Sequence, residues 1–191
     1  MRKLKLQVQI TVDGFIAGPN GEMDWLVYNW DDELKAYVTE LTEPVDCIVL
    51  GRKLAQGFIP HWAAHPELEG ADKFNGSKKV VFTKTLDQSE WENTVLAQGD
   101  LVEEITKLKE QEGQDIIVYG GATFVSALIT HNLIDEYHLF VNPAAIGNGM
   151  PIFRELDGQK PLTLVKSKAF DCGIVVLHYE PKNPDEATPA S

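Results

Sequence analysis

Cysteine is nearly missing from this chain: Cys47 and Cys172 are the two among 191 residues. They lie in different apolar runs with no CxxC or Cys/His ligand spacing, which excludes a disulfide-stapled secreted scaffold and points to a reducing compartment. Both are expected in strands, as small hydrophobes. Positive charge is scarce too. Against 29 Asp and Glu stand 17 Lys and Arg, a net charge of −12, which excludes a protein that wraps a nucleic-acid backbone, because that binding needs clustered cations. Any anionic ligand must be met by local positive groups. Long apolar runs are also wanting: none nears the roughly 18 residues of a membrane span, and MRKLKLQVQITV lacks the unbroken apolar core of a signal peptide. A cytoplasmic location is the expectation. With 43% hydrophobic and 24% charged residues, the composition is that of an ordinary globular protein. Its length suits one domain over residues 1–180, with a disordered tail from 181 to 191.

What is present is a regular alternation of elements. Leu4, Leu6, Val8, Ile10 and Val12 alternate with Lys3, Lys5, Gln7, Gln9 and Thr11, the period-two signature of a strand with one apolar face. FIAGPNGEMDWL follows, with two glycines and a proline, and reads as a long loop. Asn29 is placed to cap a helix with Leu34, Tyr37, Val38 and Leu41 on its apolar face, which Pro44 stops. Strands are expected at Val45 to Leu50, Lys79 to Phe82 and Asp115 to Tyr119, with a helix opened by the capping box Asp100-x-x-Glu103 between the last two. After a helix following Gly121, strands come in succession at Glu136 to Val141, Leu162 to Ser167 and Ile174 to Tyr179. Asp171-Cys172-Gly173 suits the turn joining the last pair. The pattern predicts an α/β fold with a mainly parallel central sheet flanked by helices and a C-terminal antiparallel hairpin.

Three of these strands end in groups suited to phosphate. Gly120-Gly121 opens a helix after a buried strand, which lets backbone approach a ligand and presents helix N–H groups to an anion; a plain tight turn explains it equally well. Gly51-Arg52-Lys53 puts two cations at another strand end, and Thr83-Lys84 puts a hydroxyl and a cation at a third. In open α/β sheets ligands bind at that edge. GxGxxG and a Walker lysine are both missing. His61 and His65 stand four apart but are flanked by Pro60 and Pro66 with no convincing third ligand, so no metal site is assigned. Asp13 is expected to stabilise its own turn. Glu22 and Asp24 read as solvated loop carboxylates, and Glu136 could face water or a cleft.

Taken in order, Thr11-Val-Asp-Gly-Phe-Ile-Ala17, Gly21-Glu-Met-Asp-Trp25, Leu50-Gly-Arg-Lys53, Tyr119-Gly-Gly-Ala122, Asp135-Glu136, Pro143 and Ile146-Gly-Asn-Gly-Met-Pro-Ile-Phe153 resemble the dihydrofolate reductase superfamily. The nearer likeness is to its bacterial branch related to the reductase domain of riboflavin biosynthesis. The resemblance implies an NADPH-dependent reductase. It puts Ile16, Ala17 and Trp25 beside the nicotinamide, Gly51, Arg52, Lys53, Thr83 and Lys84 on the adenosine phosphates, and Gly120, Gly121, Ala122 and Thr123 around the pyrophosphate, with a cis Gly-Gly bond. Met23, Trp25, Asp31, Phe58 and Trp62 would face substrate. Asp31 stands one residue beyond the family's pterin-binding carboxylate, a place Trp30 takes. A one-residue shift turns a helical side chain by about 100°, which favours a first-turn helix charge instead. The PCxxC motif of the zinc deaminases is not in the chain.

The expected reaction is hydride transfer to a C=N or C=O carbon of a small heterocyclic or imine substrate, by a homodimer. Two alternatives stand beside it. One is an NADPH-binding module without turnover, and the other is a metal-dependent hydrolase using His61 and His65.

Overall fold

The apolar alternation that starts at Leu4 builds a strand, β1 (Leu4–Thr11), that is paired in parallel on both sides, and the rest of the chain is arranged around it. The structure, a computed structural model, describes residues 1–182. After β1 come β2 (Phe15–Ala17), α1 (Asp32–Thr42), β3 (Val45–Gly51), α2 (Arg52–Ala64), α3 (Ala71–Gly76), β4 (Lys78–Phe82), β5 (Thr94–Ala97) and α4 (Leu101–Glu110). They are followed by β6 (Asp115–Val118), α5 (Ala122–Thr130), β7 (Glu136–Asn142), β8 (Met150–Pro151), β9 (Leu162–Ala169) and β10 (Val175–Pro181). Eight strands form one sheet in the order β5-β4-β3-β6-β1-β7-β10-β9. From β5 to β7 every pairing is parallel, while β10 and β9 join antiparallel. β2 and β8 make a separate two-stranded ribbon.

Helices cover both faces. On one side Ile105 and Leu108 of α4 and Val125, Leu128 and Ile129 of α5 pack on Leu4, Leu6, Val8, Val49, Val118 and Tyr137 in a continuous core. The opposite face is divided. Ala55 and Ile59 of α2 and Phe74 of α3 cover Ile48, Leu50, Val81 and Ile117, whereas Leu34 and Leu41 of α1 cover Phe140 and Val176. Between the two clusters run the polar residues of β1, and Lys5 and Gln7 there are 7% and 8% exposed. The alternation is thus real, but its polar side is buried as well, because a central parallel strand has helices over both faces.

The amino-terminal edge of the sheet is tied by ion pairs. The Arg2 guanidinium meets Asp46, Lys5 Nζ lies 2.9 Å from Asp115, Lys109 Nζ lies 2.6 Å from Asp135, and Lys3 Nζ lies 2.7 Å from Glu136. These contacts fasten β1 and α4 to the starts of β3, β6 and β7. Lys79, 1% exposed, donates to the carbonyls of Phe74, Asn75 and Ser77 and so closes the end of α3.

Several expectations change. The loop after β1 contains the short β2, and Asp31, rather than Asn29, caps α1. β5, α3 and β8 carry too weak a pattern to have been foreseen. Cys172 sits in the β9–β10 turn instead of a strand. Pro181 ends β10 and the Lys182 N–H donates to the Pro161 carbonyl, so the ordered chain runs past residue 180; the remainder of the expected tail, 183–191, lies outside the described residues. No cis peptide bond occurs among the described residues. The turn is made instead by Gly121 at φ 85°, a conformation glycine adopts without strain.

Glu136 makes the amino edge sensitive to acid. Burial opposes its ionisation, but hydrogen bonds from His138 and Lys3 and the charges of Lys5 and Lys3 outweigh it and hold the carboxyl down at about 2, below its ordinary 4.5. A depressed carboxyl stabilises the fold above the unfolded-state pKa, and that contribution fades as pH falls from about 4.5 through about 2. Urea unfolding followed across this window should show a loss of roughly 2–3 kcal/mol that Glu136→Gln largely abolishes.

Candidate active site

Because β3, β4, β6, β1 and β7 run the same way, their carboxyl ends share one edge. Val49 pairs with Val118, so the following residues of β3 and β6 leave the sheet side by side. An added Cβ at Gly51 would stand 3.0 Å from Phe124 Cβ, and Leu54 lies within 4 Å of the same positions at Gly120 and Gly121. Gly51-Arg52-Lys53 and Gly120-Gly121-Ala122-Thr123 therefore lie side by side at this edge. Gly51 also pairs with Phe82, which brings Thr83 and Lys84 to the next strand end.

Of the four longer helices, α1 and α4 are capped by the carboxylates of Asp31 and Asp100. α2 and α5 begin at Gly51 and Gly121 and receive no side-chain cap among the described residues. Two neighbouring helix starts thus keep donor N–H groups and partial positive charge for another acceptor. Arg52 lies along its own helix, its Nη1 3.2 Å from Gln56 Oε1, while Lys53 and Lys84 are exposed. Thr83 is buried, and its hydroxyl accepts from the N–H groups of Thr85 and Leu86, closing the turn after β4. Arg154 Nη2 donates to Thr123 Oγ1 at 3.0 Å, bringing a further cation to the start of α5. Its distance in sequence hid it.

Two latches hold the loops above β1. Asp13 accepts from the Ile146 and Gly147 N–H groups and from the Thr11 hydroxyl. The Thr11 contact and these amides keep its carboxyl below the ordinary range. It thus binds the loop after β7 as well as its own turn. Asn142, fully buried, donates to Gln9 Oε1 and to the Phe140 carbonyl and accepts from the Val27 N–H at 2.9 Å. This anchors the segment carrying Met23 and Trp25. Glu22 accepts from Asn20 within that segment and stays part of its loop. Ile16 and Ala17 are buried in β2, Met23 is 40% exposed, and the shielded Trp25 Nε1 has no partner among the described residues.

The remaining substrate-side candidates fall on either side of the polar stripe of β1. Asp31 is on the α1 side, where its carboxylate accepts from the Leu34 and Cys172 N–H groups, contacts that lower its pKa. It is a cap, with its oxygens already engaged. Phe58 and Trp62 are on the α2 side, packed with Phe74 and Tyr119; Trp62 stacks on Phe74 at 5.5 Å. Glu136 is at the opposite edge, six residues before Asn142 and so about 20 Å away, which removes it from this site. The rings of His61 and His65 approach to 4.8 Å, but His65 Nδ1 is 3.0 Å from Glu67, and no third ligand group joins them among the described residues. Pockets of about 230 and 270 Å³ lie around Thr130 to Pro161 and around Met1 to Asp115, also at the amino edge. The shared strand ends mark the site better than those hollows do.

Removing the Asn142 latch strands the Val27 N–H and Gln9 Oε1, so Asn142→Ala should cost roughly 2–3 kcal/mol and speed hydrogen exchange at Val27 while amides of β3 and β6 keep their protection. Gly149→Ala should cost about 1–3 kcal/mol in thermal unfolding, since its Cβ would fall 2.3 Å from the Ala17 carbonyl oxygen that β8 packs against.

Known proteins resemble the chain in sequence or in fold. YyaP of Bacillus subtilis (strain 168), an uncharacterized protein, is 34% identical over 183 residues, covering 93% of this chain and 94% of its own. The crystal structure of a Thermotoga maritima diaminohydroxyphosphoribosylaminopyrimidine deaminase/5-amino-6-(5-phosphoribosylamino)uracil reductase superposes with a TM-score of 0.70 at 18% identity, over 95% of this chain and 57% of that one. A pyrimidine reductase-like protein of Corynebacterium diphtheriae gives 0.63 at 12% identity, over 95% and 92%. No described helix is long and apolar enough to cross a membrane. Residues 2–176 match the RibD C-terminal domain, and the chain belongs to that family, with its dihydrofolate reductase-like fold.

Proposed function

We propose that the protein is an NADPH-dependent reductase of a small heterocyclic or imine substrate. The observation that carries this reading is the pair of uncapped helix starts, α2 and α5, opening side by side at the carboxyl edge and accompanied by Arg52, Lys53 and Arg154. In a chain with a net charge of −12, that is a local concentration of donors and positive charge fit for a dinucleotide's phosphates.

In this reading Gly120, Gly121, Ala122 and Thr123 receive the pyrophosphate on backbone N–H groups, and Gly51, Arg52, Lys53, Thr83 and Lys84 receive the adenosine phosphates. Ile16, Ala17 and Trp25 form the apolar wall for the nicotinamide, on a ribbon and loop whose positions Asp13 and Asn142 hold. Bound NADPH supplies the hydride for reduction of a C=N or C=O carbon. The protein contributes orientation and exclusion of water. With Asp31 engaged as a cap and Glu136 at the far edge, water is the proton source. The substrate ring lies over the upper end of the β1 stripe, near Gln9 and Met23, between α1 and α2. The chain acts as a homodimer, with exposed Leu164 and Val165 at the β9 edge as part of the contact.

Titration of NADPH and NADH against tryptophan fluorescence tests the phosphate assignment. Arg52→Ala and Lys53→Ala should each erode the preference for NADPH by about 1–3 kcal/mol, the range for hydrogen bonds to charged groups. Selectivity unchanged in both variants removes them from the 2′-phosphate. NADPH bound but never oxidised across dihydropterins, flavin precursors and small carbonyls would make the protein a binding module.

A further inference from the structure

Beneath α1, far from the carboxyl edge, lies a cluster that the reductase reading leaves unused. His138 of β7 and His178 of β10 are directly opposed in the antiparallel register, with ring centroids 4.2 Å apart. Glu136, two residues before His138 and on the same face, points its Oε2 at both rings: 3.1 Å to His138 Nε2 and 3.9 Å to His178 Nε2. One ligand atom from each of the three residues lies within 4.8 Å of the others.

Two details make this more than a hydrogen-bonded histidine. His178 Nε2 is shut off from solvent without a partner, and so is the Oε1 of Gln7, the β1 residue in register with His138. Buried polar atoms left without a partner are costly and rare in folded proteins, and here one stands near the Glu136 carboxylate and the other on the adjoining strand, opposite His138. Furthermore, the carboxylate can be shared. Lys3 occupies Glu136 Oε1 and has a second acid, Glu180, 3.6 Å away, while Oε2, bonded to His138, faces both rings and can turn to a cation held between them. Lys5 is satisfied by Asp115.

We propose that Glu136 Oε2, His138 Nε2 and His178 Nε2, with Gln7 Oε1 as a fourth donor, form a structural site for a divalent late first-row transition ion of the Zn²⁺ class, clamping β10 to β7. Two imidazoles and a carboxylate are the donor set such ions take, and it disfavours Mg²⁺ and Ca²⁺. Ligand atoms around a tetrahedral Zn²⁺ lie about 3.3 Å apart for bonds near 2.05 Å. The gaps here therefore close through tilting of two rings that now stack within 22° of parallel. Tyr37 of α1 places its hydroxyl 3.4 Å from His138 Nδ1, where an outer partner orients a ligating imidazole. The site is independent of the reductase reading.

Chelator-treated full-length protein titrated with Zn²⁺ in a calorimeter should bind one equivalent and gain melting temperature. His178→Ala should weaken that affinity by about tenfold or more and abolish the thermal gain, while His65→Ala leaves both unchanged. No saturable binding, unchanged affinity in His178→Ala, or loss of binding in His65→Ala overturns the site, the last by moving the ion to the exposed pair on α2. Should His178→Ala fail to fold, Co²⁺ added to the wild-type chain decides the matter: intense visible bands of a four-coordinate ion support the clamp, and the weak spectrum of the hydrated ion rejects it.

Discussion

Parallel pairing on both sides of β1 is the constraint from which the rest follows. A strand hydrogen-bonded in the same sense to β6 and β7 obliges the neighbouring strands to start together and to end together, and the two edges of the sheet become chemically different places. The amino edge is closed by pairs of opposite charge, Arg2 with Asp46, Lys5 with Asp115 and Lys109 with Asp135. Buried pairs of this kind add little net stability once desolvation is counted, but breaking one leaves a charge stranded. Their effect is therefore on register: a strand slipped by one residue would bury Lys5 without its acid. Among the described residues the carboxyl edge has no such cross-strand closure, and the loops there are held by amides and carboxylates such as those of Asn142 and Asp13.

The divided face has its own consequence. Because β1 presents Lys5, Gln7, Gln9 and Thr11 toward α1 and α2, those helices cannot merge into one apolar layer over the centre of the sheet. Each packs on its own cluster, and a polar seam remains between them. At its amino end the seam is filled by the Lys5–Asp115 pair; at its carboxyl end it meets Gln9 and Asn142, the residues that anchor the loop at Val27. The polar seam between α1 and α2 arises in this way from the same alternation that makes β1 a strand.

That alternation is also why much of the architecture was legible in the sequence. Elements with a strong period, such as β1, β3, β6 and α4, stand where the pattern puts them, and Asp100 caps α4 as its spacing required. Short elements held by their neighbours were not legible: β5 has four residues and β8 two, too few for a period to show. Of the site, the glycine-marked strand ends could be read because glycine at a strand-to-helix junction has a local reason. Arg154 and Asn142 could not, because each acts across a gap in the chain, to Thr123 and to Val27 and Gln9. Asp31, which the resemblance offered as a ligand, has the helix-end role that the one-residue shift favoured: the Leu34 amide makes it the cap and the Cys172 amide engages its other oxygen.

The choice of caps carries the argument further. A carboxylate at the start of a helix adds stability, typically about 1 kcal/mol over a residue without a capping side chain, and α1 and α4 take it. α2 and α5 forgo that side-chain cap, although each begins at a glycine where an Asp or Ser would serve an isolated helix better. The same carboxylate would occupy the N–H groups and repel an incoming anion. Of the four longer helices, the two without one among the described residues are those whose starts adjoin at the carboxyl edge, with Gly51 set against Phe124; of the cations near them, Arg52 contacts Gln56, and Arg154 contacts Thr123 and Glu155. On the reading proposed above, a phosphate acts as the missing cap, at a place where an otherwise acidic protein accepts negative charge.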